Sequence, residues 1–182
     1  MKIRNLLMAV SVSAIVLPGA VPVAWAQGQG APAPSTQTRS VEPEEFLRLA
    51  YSSASLQGQA AQLAASRDTR PEVKSYAAAA VNFRQGLLQQ IETLARERNM
   101  QLPSVKEFQH QVIIENLEPL DYLALSRRYA EMQMQALDQE LSIYRAASNS
   151  TQQEIKTFAD QVLPELEKQR EGAQTMYDTI KP

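Results

Sequence analysis

The single histidine, His110, stands in the most suggestive spacing of the chain, because Glu107-Phe108-Gln109-His110 is a Glu-x-x-His. On a helix this spacing sets a carboxylate and an imidazole on one face. Di-iron carboxylate sites use two such pairs plus a glutamate from each of two further helices. With one histidine in the chain a second pair is impossible, so the spacing reads as coincidence. The absence of cysteine excludes thiol catalysis, cysteine-type zinc sites, iron–sulfur clusters and disulfides. A Ser-His-Asp triad would have to run through His110, and no serine lies in a Gly-x-Ser-x-Gly elbow. There is no glycine-rich phosphate loop. No catalytic residue, cofactor or metal-ligand set is therefore expected. A residual metal site would have to be built from carboxylates such as Glu131, Glu140 and Glu165.

Two polar side chains fall where helical spacing points inward. Arg84 is four residues after Ala80 and three before Leu87, and Gln169 is three after Leu166. These bundle-interior positions leave two readings open: a buried anion or ligand contact, or an arginine paired with a carboxylate such as Glu140 or Glu165. Tyr76, Tyr122, Tyr129, Tyr144 and Tyr177 lie on or beside the apolar stripes. They are expected to pack in the core with each hydroxyl reaching its edge. Runs such as Gln57-Gly58-Gln59 and Gln89-Gln90 read as solvated surface.

The elements that would position these groups are helices. Residues 1–26 have the form of a signal peptide: Lys2 and Arg4, a largely apolar run of twelve residues from Leu6 to Leu17, a Pro18-Gly19 break and a small-x-small Ala24-Trp25-Ala26 end. The run is too short for a membrane span, which needs about 20 apolar residues, so cleavage after Ala26 and a periplasmic or secreted product are expected. Residues 27–42 are rich in Gly, Pro, Ser and Thr and read as a flexible linker. Residues 43–182 then form one domain whose only glycines are Gly58, Gly86 and Gly172.

The first helix is expected over residues 43–66, with Phe46, Leu49, Ser53, Leu56, Ala60 and Leu63 inward. The second runs over 71–99, started at a Thr69/Glu72 capping box, with Val73, Tyr76, Ala80, Phe83, Leu87, Ile91 and Leu94 inward. A short helix within residues 102–116, capped by Ser104 and Glu107, fills the middle crossover. Pro119 is expected to open a third long helix whose buried side includes Tyr122, Leu125, Tyr129, Met132, Ala136, Ile143 and Tyr144. A Thr151/Glu154 box starts the fourth, ending near Ile180 and kinked at Pro164, with Ile155, Phe158, Val162, Leu166, Ala173, Met176 and Tyr177 inward. Nothing alternates with a period of two. The narrow 3-4 stripes predict an all-α, elongated four-helix bundle of two helical hairpins with a short helix in the crossover.

Of 18 basic residues, Lys2 and Arg4 fall in the leader, leaving 16 against 20 acidic residues and a net charge of −4. A nucleic-acid surface needs the opposite balance.

Glu72-Val73-Lys74-Ser75-Tyr76-Ala77 with Leu94-Ala95, Tyr129-Ala130-Glu131-Met132-Gln133, and the segment from Phe158 through Val162-Leu163-Pro164-Glu165-Leu166 together resemble the domain-of-unknown-function 4142 family. That resemblance covers about residues 46–180 and implies an exported, ferritin-like four-helix fold. It also implies an Asp-His pair and two further histidines in relatives, at positions that here hold Phe83-Arg84, Leu137 and Gln169. The chain is thus a divergent member lacking those histidines. The expected function is that of an exported, non-catalytic bundle of the cell envelope acting on an unknown protein partner, with self-association left open. The alternatives are a carrier of a small hydrophobic ligand and a metal-handling bundle with a degenerate site.

Overall fold

The computed structural model describes residues 41–103 and 108–181. Among these residues the regular elements are all helical: α1 (Pro43–Arg67), α2 (Pro71–Glu97), α3 (Phe108–Leu117), α4 (Tyr122–Ala147) and α5 (Gln153–Ile180). The leader, most of the linker and the Ser104/Glu107 cap lie outside the described residues. Among the described residues, no helix is long and apolar enough to cross a membrane.

The four long helices form two hairpins, α1–α2 and α4–α5, joined by a crossover that contains α3. At one end of the bundle the start of α4 meets the α1–α2 turn. There Ser126 donates to the Asp68 carboxylate at 2.9 Å, and Arg67 donates to the carbonyls of Glu118 and Leu120. At the other end Arg98, closing α2, reaches Glu154 at the start of α5. Every neighbouring pair of long helices is therefore antiparallel, and the crossover travels the full bundle length, about 40 Å for a helix the size of α2. A single long crossover is the connectivity of ferritin-like bundles.

Helix ends follow backbone rules more than the expected capping boxes. The residue capping α2 is Arg70, and its N–H is taken by Asp68 Oδ1 at 2.9 Å, so Thr69 and Glu72 form no box. Likewise α5 is capped at Gln152, whose N–H is accepted by Ser150 Oγ, not by Thr151. In both cases the turn residue two before the cap already satisfies the free donor. Asn99 ends α2 in the left-handed region (φ 53°), with Met100 and Asn99 N–H groups returning to the carbonyls of Ala95 and Arg96. This is a Schellman motif with asparagine where glycine is usual.

Pro119 does not open α4. It lies in the turn after α3, and α4 starts at Tyr122, which is 67% exposed with φ 44°. The crossover helix is described from Phe108 to Leu117. Pro164 sits on the exposed side of α5, which continues unbroken through it.

The inner faces of α2 and α5 are as the spacing predicts, with Val73, Ala80, Leu87 and Ile91 of α2 and Ile155, Phe158, Val162 and Leu166 of α5 buried. The face of α1 is rotated. Leu49 is exposed, Ser53 and Leu63 are only half-buried, and Leu47, Ala50, Ala54, Ala61 and Ala64 form the seam. The small side chains let α1 approach both α2 and α4 closely. Two apolar clusters result. One is centred on Phe46, Tyr144 and Phe158 with edge-on ring contacts, the other on Val73, Leu125, Tyr129 and Met176.

Candidate functional site

Between the two apolar clusters lies a layer of buried polar side chains. Arg84, 2% exposed, donates through Nη1 to Glu140 Oε1 and through Nη2 to Gln57 Oε1, both at 2.7 Å. Gln57 Nε2 closes the ring by donating to Glu140 Oε2 at 2.8 Å and also reaches Ser53 Oγ. Three helices thus contribute one side chain each to a closed cycle in which both carboxylate oxygens accept. Gly58 of α1 lies over this pair, where a Cβ would stand 3.4 Å from Arg84 Cβ, an ordinary contact distance. A buried ion pair is maintained only when its hydrogen bonds are satisfied, and here the ring leaves neither charge facing a vacant position. The site is a structural centre, and a hollow of about 170 Å³ between α1 and α2 reaches it from outside, lined in part by Gly58 and Arg84.

The other sequence candidates are dispersed. Gln169 is not interior. It is half-buried at the edge of α5, and its backbone carbonyl accepts the Tyr76 hydroxyl at 3.2 Å while the Tyr76 ring lies against Gly172. Gln57 was expected on the surface and is buried, because the rotation of α1 turns it inward. Glu131 pairs with Arg128 on the exposed face of α4, and Glu165 is exposed with Lys168 3.9 Å away, so neither joins Glu140. Among the described residues, no three His, Cys, Asp or Glu side chains converge as a metal site. His110 is half-buried beside Ser52, whose hydroxyl lies 3.4 Å from its ring nitrogens.

The tyrosines also divide. Tyr122 is exposed, and Tyr177 and Tyr76 are half-buried. The hydroxyls of Tyr129 and Tyr144 do not reach the edge of the core. They are buried without a partner, as is Gln133 Nε2. Burial pushes both phenols well above their usual ionisation range, and a carboxylate (Asp68 for Tyr129, Glu140 for Tyr144) adds to the effect.

Hollows of about 400 Å³ beside Met100 and about 170 Å³ beside Gly58 are open at the surface, and a further open feature is the seam between α2 and α5. A cleft of about 680 Å³ runs there, walled by Gln89, Gln90, Thr157 and Gln161 over a floor of Leu94 and Phe158. A second hollow of about 340 Å³ continues it past Gly86 towards Phe83 and Glu165. Inter-helical ion pairs such as Arg170–Asp138 and Arg145–Glu167 bind α5 to α4 instead. Across the α2–α5 seam the pair at hand is Arg98–Glu154, at its end. The cleft offers amides and hydroxyls along its walls and the carboxylates of Glu97 and Glu154 at one end.

A family model described as a domain of unknown function (DUF4142) matches residues 27–176. The chain belongs to that family. No curated protein and no solved structure matches it. The positions to which the resemblance assigns histidines in other DUF4142 members do not share one environment in this chain. Arg84 and Leu137 are in the core, Phe83 is half-buried beside Arg84, and Gln169 is at the edge.

Sequence reasoning found Arg84 and named Glu140 as a partner, but missed Gln57 and Gly86. The signal for Gln57 was its place four after Ser53 and three before Ala60. For Gly86 it was a glycine in the middle of a 27-residue helix.

Proposed function

We propose that this DUF4142 chain is an exported, non-enzymatic bundle of the bacterial cell envelope, periplasmic or secreted, that works by binding a protein partner along the α2–α5 cleft. The leader pattern ending at Ala26 supports export, and the family match begins at the next residue. The observation that carries the binding assignment is the contrast between a buried ion pair answered within its own ring and an exterior cleft that is open, apolar at its floor, walled by amides and hydroxyls and edged by the carboxylates of Glu97 and Glu154. Amide and hydroxyl walls over an apolar floor suit recognition better than group transfer, for which converging titratable groups are needed.

The test places a photo-crosslinking residue at Thr157 in the cleft or at exposed Gln135 on α4, in intact cells expressing the full chain. The expected result is a mature mass consistent with cleavage after Ala26, and a protein adduct of defined mass from position 157 that position 135 does not give. Retention in the cytoplasm, a lipid adduct, or identical adducts from both positions overturns the reading.

A further inference from the structure

The three glycines of the domain separate into two kinds. A Cβ at Gly58 would make an ordinary contact with Arg84 at 3.4 Å, and one at Gly172 would press on Tyr76 Cε2 at 3.1 Å, so both glycines face neighbours inside the bundle. A Cβ at Gly86 would meet nothing within 4 Å. Glycine in a helix interior is destabilising relative to alanine, and packing within this chain gives no reason for it. Gly86 lines both hollows of the α2–α5 seam. Small residues at such a place let a second backbone approach closely.

The shape and charge of the seam define what approaches. Its lining residues extend over positions 82–97 of α2 and 153–165 of α5, about 20 Å at 1.5 Å per residue. The groove lies between two antiparallel helices, so a third rod lying along it completes a helix-in-groove contact. Its acidic lining residues are Glu97, Glu154 and Glu165, and neither lysine nor arginine lines it. Arg98 engages Glu154 and Lys168 stands near Glu165, whereas Glu97 has no ion pair among the described residues. A second copy of this chain would set these carboxylates against its own. A lipid chain would leave the amide walls unmatched.

We infer that the α2–α5 seam receives an amphipathic helix of about 14 residues from a polypeptide partner, its apolar face crossing Gly86 and its flanks carrying lysine or arginine. This rests on the binding function proposed above and specifies its occupant.

The test titrates the mature protein with three peptides of about 16 residues: a Leu/Ala-faced helix flanked by lysines, the same helix flanked by glutamates, and the lysine form broken by a central proline. Backbone amide resonances report the site. The expected result is saturable shifts around Gly86, Gln90 and Gln161 with the lysine helix alone. Gly86→Ala raises Tm by about 1–4 °C while weakening that binding at least about tenfold, and Gly86→Leu abolishes it. A stability gain with a binding loss is a signature that a purely structural glycine would not give. Equal binding of the lysine and glutamate helices, unchanged binding by Gly86→Ala, or no shift with any probe overturns the inference. If the Thr157 adduct persists in that case, the exported binding function stands with a different occupant. If the adduct is also absent, both readings fall.

Discussion

Arg84 and Gly86 are two residues apart on one helix and live in opposite worlds. Two positions of α-helix rotate by about 200°, so Arg84 turns into the space shared with α1 and α4 while Gly86 turns to the α2–α5 seam. On the first side every charge is answered: Arg84, Glu140 and Gln57 exhaust one another. On the second, a residue that weakens its own helix faces empty space. The inward face is built for the chain itself. On the proposed function the outward one is completed by a partner. A charged side chain at the heart of a bundle is thus a poor guide to function here, and a missing side chain is the better one.

The largest effect should come from breaking the paired side. Arg84→Leu strands the Glu140 carboxylate in the core and should cost about 3–5 kcal/mol, read as a fall in Tm of about 6–20 °C for a domain of this size. Replacing all three members by apolar residues (Gln57→Met, Arg84→Met, Glu140→Leu) should restore most of that loss. A triple variant as unstable as the single one would mean that the ring contributes stability outright, and the comparison would have to be redrawn.

A smaller effect concerns the phenols beside the ring. Tyr129 and Tyr144 ionise well above the usual value of about 10 because burial disfavours the phenolate. In the unfolded chain they release protons near pH 10, so above that pH the unfolded state binds fewer protons and stability falls. Their contribution is fully present below pH 10 and is lost as pH rises beyond it. Chemical denaturation between pH 8 and 11 should show this decline, and Tyr129→Phe with Tyr144→Phe should flatten it. Since neither hydroxyl has a partner, the double variant should be at least as stable at neutral pH. A loss above about 1 kcal/mol would show that these hydroxyls are bonded in solution.

The smallest effect belongs to the open side. Gly86→Ala should stabilise the isolated protein by about 0.5–1 kcal/mol, measured by urea titration. Destabilisation there would mean that the seam closes in solution, and would erase the contrast.

How much of this was legible in the sequence depended on side-chain size. In α2 and α5 large apolar residues recur at three and four, and their faces were read correctly from Val73 to Ile91 and from Ile155 to Met176. In α1 Phe46, Leu56 and Ala60 are buried as the spacing predicts, but the seam is completed by Ala50, Ala54, Ala61 and Ala64, which carry little hydropathy contrast, so the larger Leu49 and Leu63 were read inward in their place. The same rotation hid Gln57, since a glutamine among glutamines looks solvated until the helix is turned. Arg84 stood out because it interrupts a regular apolar row, whereas the hollow beside Gly86 depends on how far apart α2 and α5 stand, a quantity no local pattern encodes.

The cyclic bonding of Arg84 also bears on how the chain comes together. The first hairpin carries the arginine and the glutamine, and the second carries the glutamate. Either hairpin alone would have to bury one uncompensated charge or hold its inner face open to water. Folding of the halves is therefore coupled through a 56-residue separation in sequence. A polypeptide emerging N-terminus first gains its centre only when α4 has arrived, so the domain should fold as one cooperative unit after its second half has emerged.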